Sequence, residues 1–470
     1  MRIFGKIIRS ALFLVLAFCS LAALMSGCGG GGGGGGSSAP VAPSAPDTTA
    51  PSVAFAYPAN NAEFTANALP SFVQINYSDA GGLDLSSLNV SLSLNGGTVD
   101  LTPLFATDSA QNAASTRTPA SETSPLRRTV VMRYARADTA FSSVTGTAAV
   151  PRGTASAMAV ECLDSAGRAV VWSKGLSSAF VLPASGAFRA KEISLGFAPV
   201  AAAAADGVFY AARDGFSQLF GFNADTGSVA DLISLPHEPS LLAWHRETGK
   251  MYAAYDDPAA LKVSRIDIAQ GAVDQTIPIA YTPALLGARA GSADGGVFAA
   301  GASAGQFRLF PYDNNGTQGQ AAALGLTQPG ALAYDAASGN VYLSRFDTNS
   351  LTRAEPSGAV TDIPVGANPR AVFPLSSGGV FAINSGGKSV SRVIGASVAG
   401  TVSFQAPPLS GLATCGADYT YLVMDLWSLD TRTAGTLTAT IRDRAGNTGT
   451  ASITLYFSPE PVVPLRLAGK

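Results

Sequence analysis

A chain of 470 residues is long enough for two or three domains. It is 47% hydrophobic and only 13% charged, against roughly 25% in ordinary soluble chains, and its 51 glycines and 28 prolines suit short strands and tight turns better than helices. A formal net charge of −2 lacks the basic footprint that nucleic acid requires, and two histidines leave little room for imidazole-based metal or proton chemistry.

The chain opens on Arg2, Lys6 and Arg9, followed by an apolar run from Ala11 to Met25 that ends in small residues, the layout of an export signal. The uncharged stretch is about 17 residues, short of the ~20 that a spanning helix needs. It closes in LMSGC, which resembles a bacterial lipoprotein signal, with Met25 where that family usually has Leu. The resemblance implies a signal peptide over 1–27, cleaved after Gly27, and a mature chain tied to a membrane by fatty acylation (palmitate) of Cys28. Gly29, not Asp, follows the cysteine. In that family this implies onward transport to the outer membrane or cell surface, with the periplasmic side left open. Cleavage would remove three bases and no acid, leaving 27 bases against 32 acids and a net charge of −5.

Residues 28–49 read as a tether: unbroken glycine from Gly29 to Gly36, then a proline-spaced piece. As a random coil, about twenty such residues reach roughly 25 Å. The glycine run matches a dinucleotide-binding fingerprint only trivially, since no strand precedes it and no acidic residue follows at the needed distance.

Residues 50–185 show about seven short strands, among them SVAFAY, FVQINYS, LNVSLSL, RTVVMRYA, AVECL and RAVVWS, with a turn at Asn95-Gly96, which suggests a β-sandwich. The segments DTTAPSVAFAYPANNAEF and SDAGGLDLSSLNVSLSLNGG resemble bacterial immunoglobulin-like repeats. Beyond Thr102 the resemblance ends, and Phe105 to Pro125 reads as a long disordered loop. Arg117, Arg127, Arg128, Arg133 and Arg136 form a basic cluster, expected as a solvated strand face rather than a lipid-binding patch. Asp79 and Asp84, with Asp47 and Asp164, are oxygen donors of the kind calcium takes, but turn capping is the expected reading.

From Pro199 to Ile441 a strand recurs six times: DGVFYAAR, GKMYAAY, GGVFAAG, GNVYLSR, GGVFAIN and ADYTYLVMD. Its aromatic, at Tyr210, Tyr252, Phe298, Tyr342, Phe381 and Tyr421, repeats every 39 to 46 residues. A four-stranded unit of that length is the signature of a β-propeller blade. The alanine run Ala201 to Ala205 has helical propensity, yet its place in the repeat makes it a strand. Strand order and spacing resemble the seven-bladed propellers of surface proteins named for a Tyr-Val-Thr-Asn motif, and NHL-type propellers. That motif is absent, so no site residue is carried over. The expected fold is all-β: an immunoglobulin-like sandwich over 50–185, a six- or seven-bladed propeller over 186–441, and a segment 442–470 that either closes the last blade or pairs with the sandwich. Cys162 and Cys415 fall in different expected domains and are expected as two separate thiols.

Few segments of the chain carry a chemical motif. Gly301 to Gly305 matches GxSxG, but it joins two strands and both histidines precede it. Ser385 to Ser389 lacks the first glycine of a phosphate loop. His237 and His245 lie eight apart on either side of a strand. Asp313 begins only a fragment of a calcium loop. Asp256 and Asp257, before Pro258, could line the propeller mouth as a carboxylate pair, but the other repeats carry no matching partners, so no cation site is expected there. No catalytic, cofactor or metal residue is assigned. The expected role is non-enzymatic binding of a protein or glycan by a lipid-anchored envelope protein, with no nucleic-acid partner. The alternative is a propeller enzyme of the metal-dependent lactonase or lyase type.

Overall fold

The computed structural model describes residues 45–459, apart from 66–67, 117–123, 153–157, 258, 260, 292–294 and 326–328. The expected signal over 1–27, Cys28, the tether as far as residue 44, Arg117, Pro258 and the tail from 460 lie outside the described residues.

Each repeat aromatic sits on the second strand of a four-stranded antiparallel sheet, and all six are buried. Sheet I is Met158–Cys162, Ala169–Ser173, Ser178–Leu182 and Lys191–Ser194. Sheet II is Pro199–Ala205, Val208–Arg213, Gln218–Asn223 and Val229–Ser234; sheet III is Pro239–His245, Lys250–Tyr255, Lys262–Asp267 and Ala272–Pro278. Sheet IV runs Pro283–Ala288, Val297–Ser303, Gln306–Tyr312 and Ala322–Gly325; sheet V runs Leu332–Asp335, Asn340–Arg345, Ser350–Ala354 and Val360–Pro364. Sheet VI runs Pro369–Pro374, Val380–Asn384, Ser389–Ile394 and Ser397–Ser403. Sheet VII takes its inner strands, Pro408–Cys415 and Tyr419–Met424, from late in the chain and its outer ones, Arg128–Ala135 and Val144–Pro151, from early in it. The first strand of each sheet touches that of the next, and the first strand of sheet VII touches that of sheet I. This is a propeller arrangement.

The packing explains the alanines. Ala202 and Ala204 face a core shared with sheet I, and Ala201, Ala203 and Ala205 face one shared with sheet III. A strand buried on both faces reads as continuously apolar, and here neighbouring sheets converge so closely that small side chains fit best. Pairing across the sheet with Val208–Arg213 then overrides helical propensity.

Two further sheets share one core. One orders Ser52–Tyr57, Gln74–Ser78, Ala113–Thr116 and Phe105–Asp108; the other orders Glu63–Thr65, Thr448–Ser458, Thr433–Asp443, Leu83–Leu94 and Gly97–Asp100. Two expectations change here, and the alternative left open for the C-terminal hairpin is resolved. Strands between 128 and 182, expected in the sandwich, belong to sheets VII and I. The hairpin after Thr433 joins the sandwich through Leu83–Leu94. The propeller is thus an insertion between two parts of the sandwich. Alternation along a short strand says which face is buried but not which strand it pairs with, so adjacency in sequence misled. The expected loop from Phe105 contributes two paired strands before residue 117.

Cys162 and Cys415 are joined as a disulfide, with Cα atoms 5.1 Å apart. They were expected apart because the boundary near 185 was misplaced; both stand on first strands, those of sheets I and VII. The basic cluster is not a solvated face either. Arg128 and Arg133 are buried, and Arg133 donates to Ala184 O at 3.0 Å while its guanidinium stacks on Phe188 and Tyr419.

Candidate functional site

In sheets II, III, IV and VI the first strand slips register just after its leading proline, and sheet VII has a longer irregularity from Pro408 to Leu412. Such bulges free a residue from the ladder and re-aim its side chain. The freed residues are Val200, Ser240, Ala284 and Arg370, with Ser410 in the longer break. All stand at the end of the ring where first strands begin and second strands stop.

At that end a cleft of about 450 Å³ spans sheets I, II and III. Lys174, Asp214, Asp256 and Asp257 line it from the segments just past three successive second strands, His237 and Glu238 from just before the first strand of sheet III, and Val200 and Ser240 from the bulges. Four carboxylates against one ammonium give the lining a charge of −3 with His237 neutral. His237 Nδ1 lies 3.5 Å from Asp257 Oδ2, and its ring packs edgewise on Tyr255 with centroids 5.5 Å apart. Asp257 Oδ1 accepts the Ala259 amide at 2.8 Å, which fixes the carboxylate. Burial pushes the Tyr255 phenol up to about 12, and its hydroxyl donates to Ser264 Oγ at 2.7 Å, so this ring packs behind His237 and is not a proton donor near neutral pH. The cleft can draw in a positively charged group and give it several oxygen acceptors.

The sequence-nominated residues divide between this cleft and other places. Asp256, Asp257 and His237 come together. His245 sits at the far end of its strand, fully buried, with Nε2 3.0 Å from Arg289 O and Nδ1 3.0 Å from Thr248 Oγ1. It therefore ties sheet III to sheet IV. Asp313 caps its own turn, Oδ1 accepting the amides of Asn315 and Thr317. Ser303 ends a strand that turns through Ala304 and Gly305, and Ser385 to Lys388 turn between two strands of sheet VI.

Of the nominated calcium donors, Asp84 caps Ser86 and Asp164 pairs with Arg168. Asp47 and Asp79 meet Asp443, the three offering oxygens within 4.8 Å of one another, and no other such group of His, Cys, Asp and Glu is found among the described residues. Burial pushes the Asp443 carboxyl up, but hydrogen bonds from Asn447 and the Gly446 and Ala445 amides outweigh it and hold the group below its ordinary value.

Sequence reasoning missed Lys174, Asp214 and Arg370. The usable signal was positional: the residue directly after each second strand, and the residue directly after each proline that opens a first strand.

No protein-family model matches this sequence, and no curated protein matches it. Several solved structures are similar to the chain. The hydrazine synthase of Kuenenia stuttgartiensis is 16% identical over 54% of this chain and 87% of its own, with a TM-score of 0.43. Virginiamycin B lyase from Staphylococcus aureus is 10% identical over 63% of this chain and 98% of its own, at 0.44. The WD40 β-propeller domain of Doa1 is 10% identical over 58% of this chain and 94% of its own, at 0.44.

Proposed function

We propose that this chain is an exported, lipid-anchored envelope protein whose seven-bladed propeller, inserted in an immunoglobulin-like sandwich, binds a positively charged group on a protein or glycan partner without transforming it. The observation that carries the reading is the cleft with lining charge −3 shared by three successive blades. Export is supported by the residues up to Cys28 and by the Cys162–Cys415 disulfide, a bond that persists in oxidising compartments. The outer membrane or cell surface is the proposed location.

The test is capture of envelope proteins and glycans by the full chain and by an Asp214→Asn, Asp256→Asn, Asp257→Asn variant, at low and high salt. Exposed charges are screened beyond about 8 Å at physiological ionic strength, so capture through this cleft falls with added salt. The variant is expected to lose the salt-sensitive fraction. Equal capture by both proteins overturns the reading.

One observation favours a second reading, a propeller enzyme of the lyase or lactonase type: the His237–Asp257 pair, which could orient an imidazole as a base. It predicts turnover that Asp257→Asn slows and His237→Ala abolishes.

A further inference from the structure

Across the ring from the acidic cleft, the same end carries a second cleft of opposite character. It has a volume of about 330 Å³, lies between sheets V, VI and VII, and is lined by Gly330, Phe346, Asn368, Arg370 and Ser410. Among the described residues no carboxylate lines it. Arg370 is exposed, and no ion pair or side-chain hydrogen bond holds it among the described residues. The bulge that frees Arg370 from its ladder recurs after Pro199, Pro239 and Pro283, where the freed residue is Val200, Ser240 or Ala284. The ring itself therefore needs only a small side chain there, and the guanidinium is a departure that closing the ring does not explain.

The surroundings point the same way. Ser344 is fully buried, and its hydroxyl has no hydrogen-bond partner among the described residues. That oxygen lies 3.1 Å from where a side-chain carbon on Gly330 would stand, and the Arg370 carbonyl lies 3.7 Å from the same point. A buried hydroxyl without a partner is costly unless something else supplies one. Phe346, 51% exposed, adds an apolar wall. A guanidinium fork matches a carboxylate with two parallel bonds.

We infer that this cleft binds a carboxylate borne on a small apolar body, with Arg370 gripping the carboxylate, the hydroxyls of Ser344 and Ser410 near it, and Phe346 covering the body. Its volume suits one such group and not an extended ligand. The source is either a free aromatic or aliphatic acid or the last residue of a polypeptide, and both present the same chemistry. This goes beyond the cationic-group reading and does not depend on it.

The experiment is calorimetric titration of the full chain with N-acetylphenylalanine, its amide, and a hexapeptide ending in phenylalanine with a free carboxylate. The acid is expected to bind at least about tenfold tighter than the amide, with Arg370→Gln removing that preference and Arg370→Lys restoring part of it. Ser344→Ala is expected to weaken the acid several-fold. Asp257→Asn, in the acidic cleft, leaves all three titrations unchanged, so failure of one reading is distinguishable from failure of the other. A hexapeptide much tighter than the acid marks a chain end as the source, and equal affinities mark a free acid. Equal binding of acid and amide, a preference that survives Arg370→Gln, or no heat with any probe at millimolar concentration overturns the inference.

Discussion

Arg152 grips Asp425 through two parallel bonds, Nε to Oδ1 and Nη2 to Oδ2, each 2.9 Å long. Arg152 follows the outermost strand of sheet VII, and Asp425 follows its second strand, where the chain leaves the ring for the sandwich. Asp425 is 2% exposed and also accepts the Trp427 amide at 3.1 Å. Removing one member of a buried ion pair strands the charge of the other. Asp425→Ala is therefore expected to destabilise the protein by about 3 kcal/mol or more. Arg152→Lys, which keeps the charge but loses the fork, costs less. Denaturant unfolding of both variants checks the order, and a smaller loss for Asp425→Ala than for Arg152→Lys would be evidence against it.

The disulfide closes a loop with a sequence separation of 253 between the first strands of sheets VII and I. A crosslink over so long a loop restricts the unfolded chain strongly, for about 2–5 kcal/mol. The paired change Cys162→Ser, Cys415→Ser is expected to lower Tm while keeping the β-sheet signal, because the strand pairing of sheet VII remains. Thermal unfolding with and without reductant checks this. A reduced wild type as stable as the oxidised one would contradict it.

Glu161, on the first strand of sheet I, accepts Trp172 Nε1–H at 2.8 Å and the Ala204 amide at 2.9 Å. Burial nonetheless pushes its carboxyl up from 4.5 to about 6. The folded state therefore holds this proton more tightly than the unfolded one. Its contribution is fully present below about pH 4.5 and fades as pH rises to about 6, a loss of about 2 kcal/mol. Glu161→Gln removes this dependence. Unfolding free energies of wild type and variant, compared from about pH 4.5 to 6.5, should diverge in the variant's favour as pH rises. A constant difference across that window counts against the assignment.

Anchoring makes a separate prediction. Mass spectrometry of the mature chain from cells is expected to find a fatty-acylated Cys28 as its first residue, and Cys28→Ser to leave the chain unprocessed and unacylated. Recovery of a wild-type chain that still carries residues 1–27 would remove the anchor.

Much of the ring was legible because its spacing is a physical repeat. Tyr210, Tyr252, Phe298, Tyr342, Phe381 and Tyr421 each fill the gap to a neighbouring sheet, so the same residue type returns at the same step. The partner of Arg128–Ala135 was not legible, since it lies some 285 residues on, at Tyr419–Met424. Nothing local in an alternating strand encodes so distant a pairing, and the misplaced domain boundary and the missed disulfide follow from it. At the candidate site, the adjacent Asp256 and Asp257 stood out in the sequence and His237 stood out separately, but only the fold brings the histidine to Asp257. Lys174 and Asp214 did not stand out, because each comes from a different repeat and only ring geometry brings them together.

Because the ring is threaded into the sandwich and not appended after it, tension on the front of the chain enters first at Ser52–Tyr57, which is zipped antiparallel to Gln74–Ser78. The chain enters and leaves the ring through one sheet, at Arg128–Ala135 and Tyr419–Met424, so a pull on its front is expected to peel sandwich strands before it reaches the other six sheets.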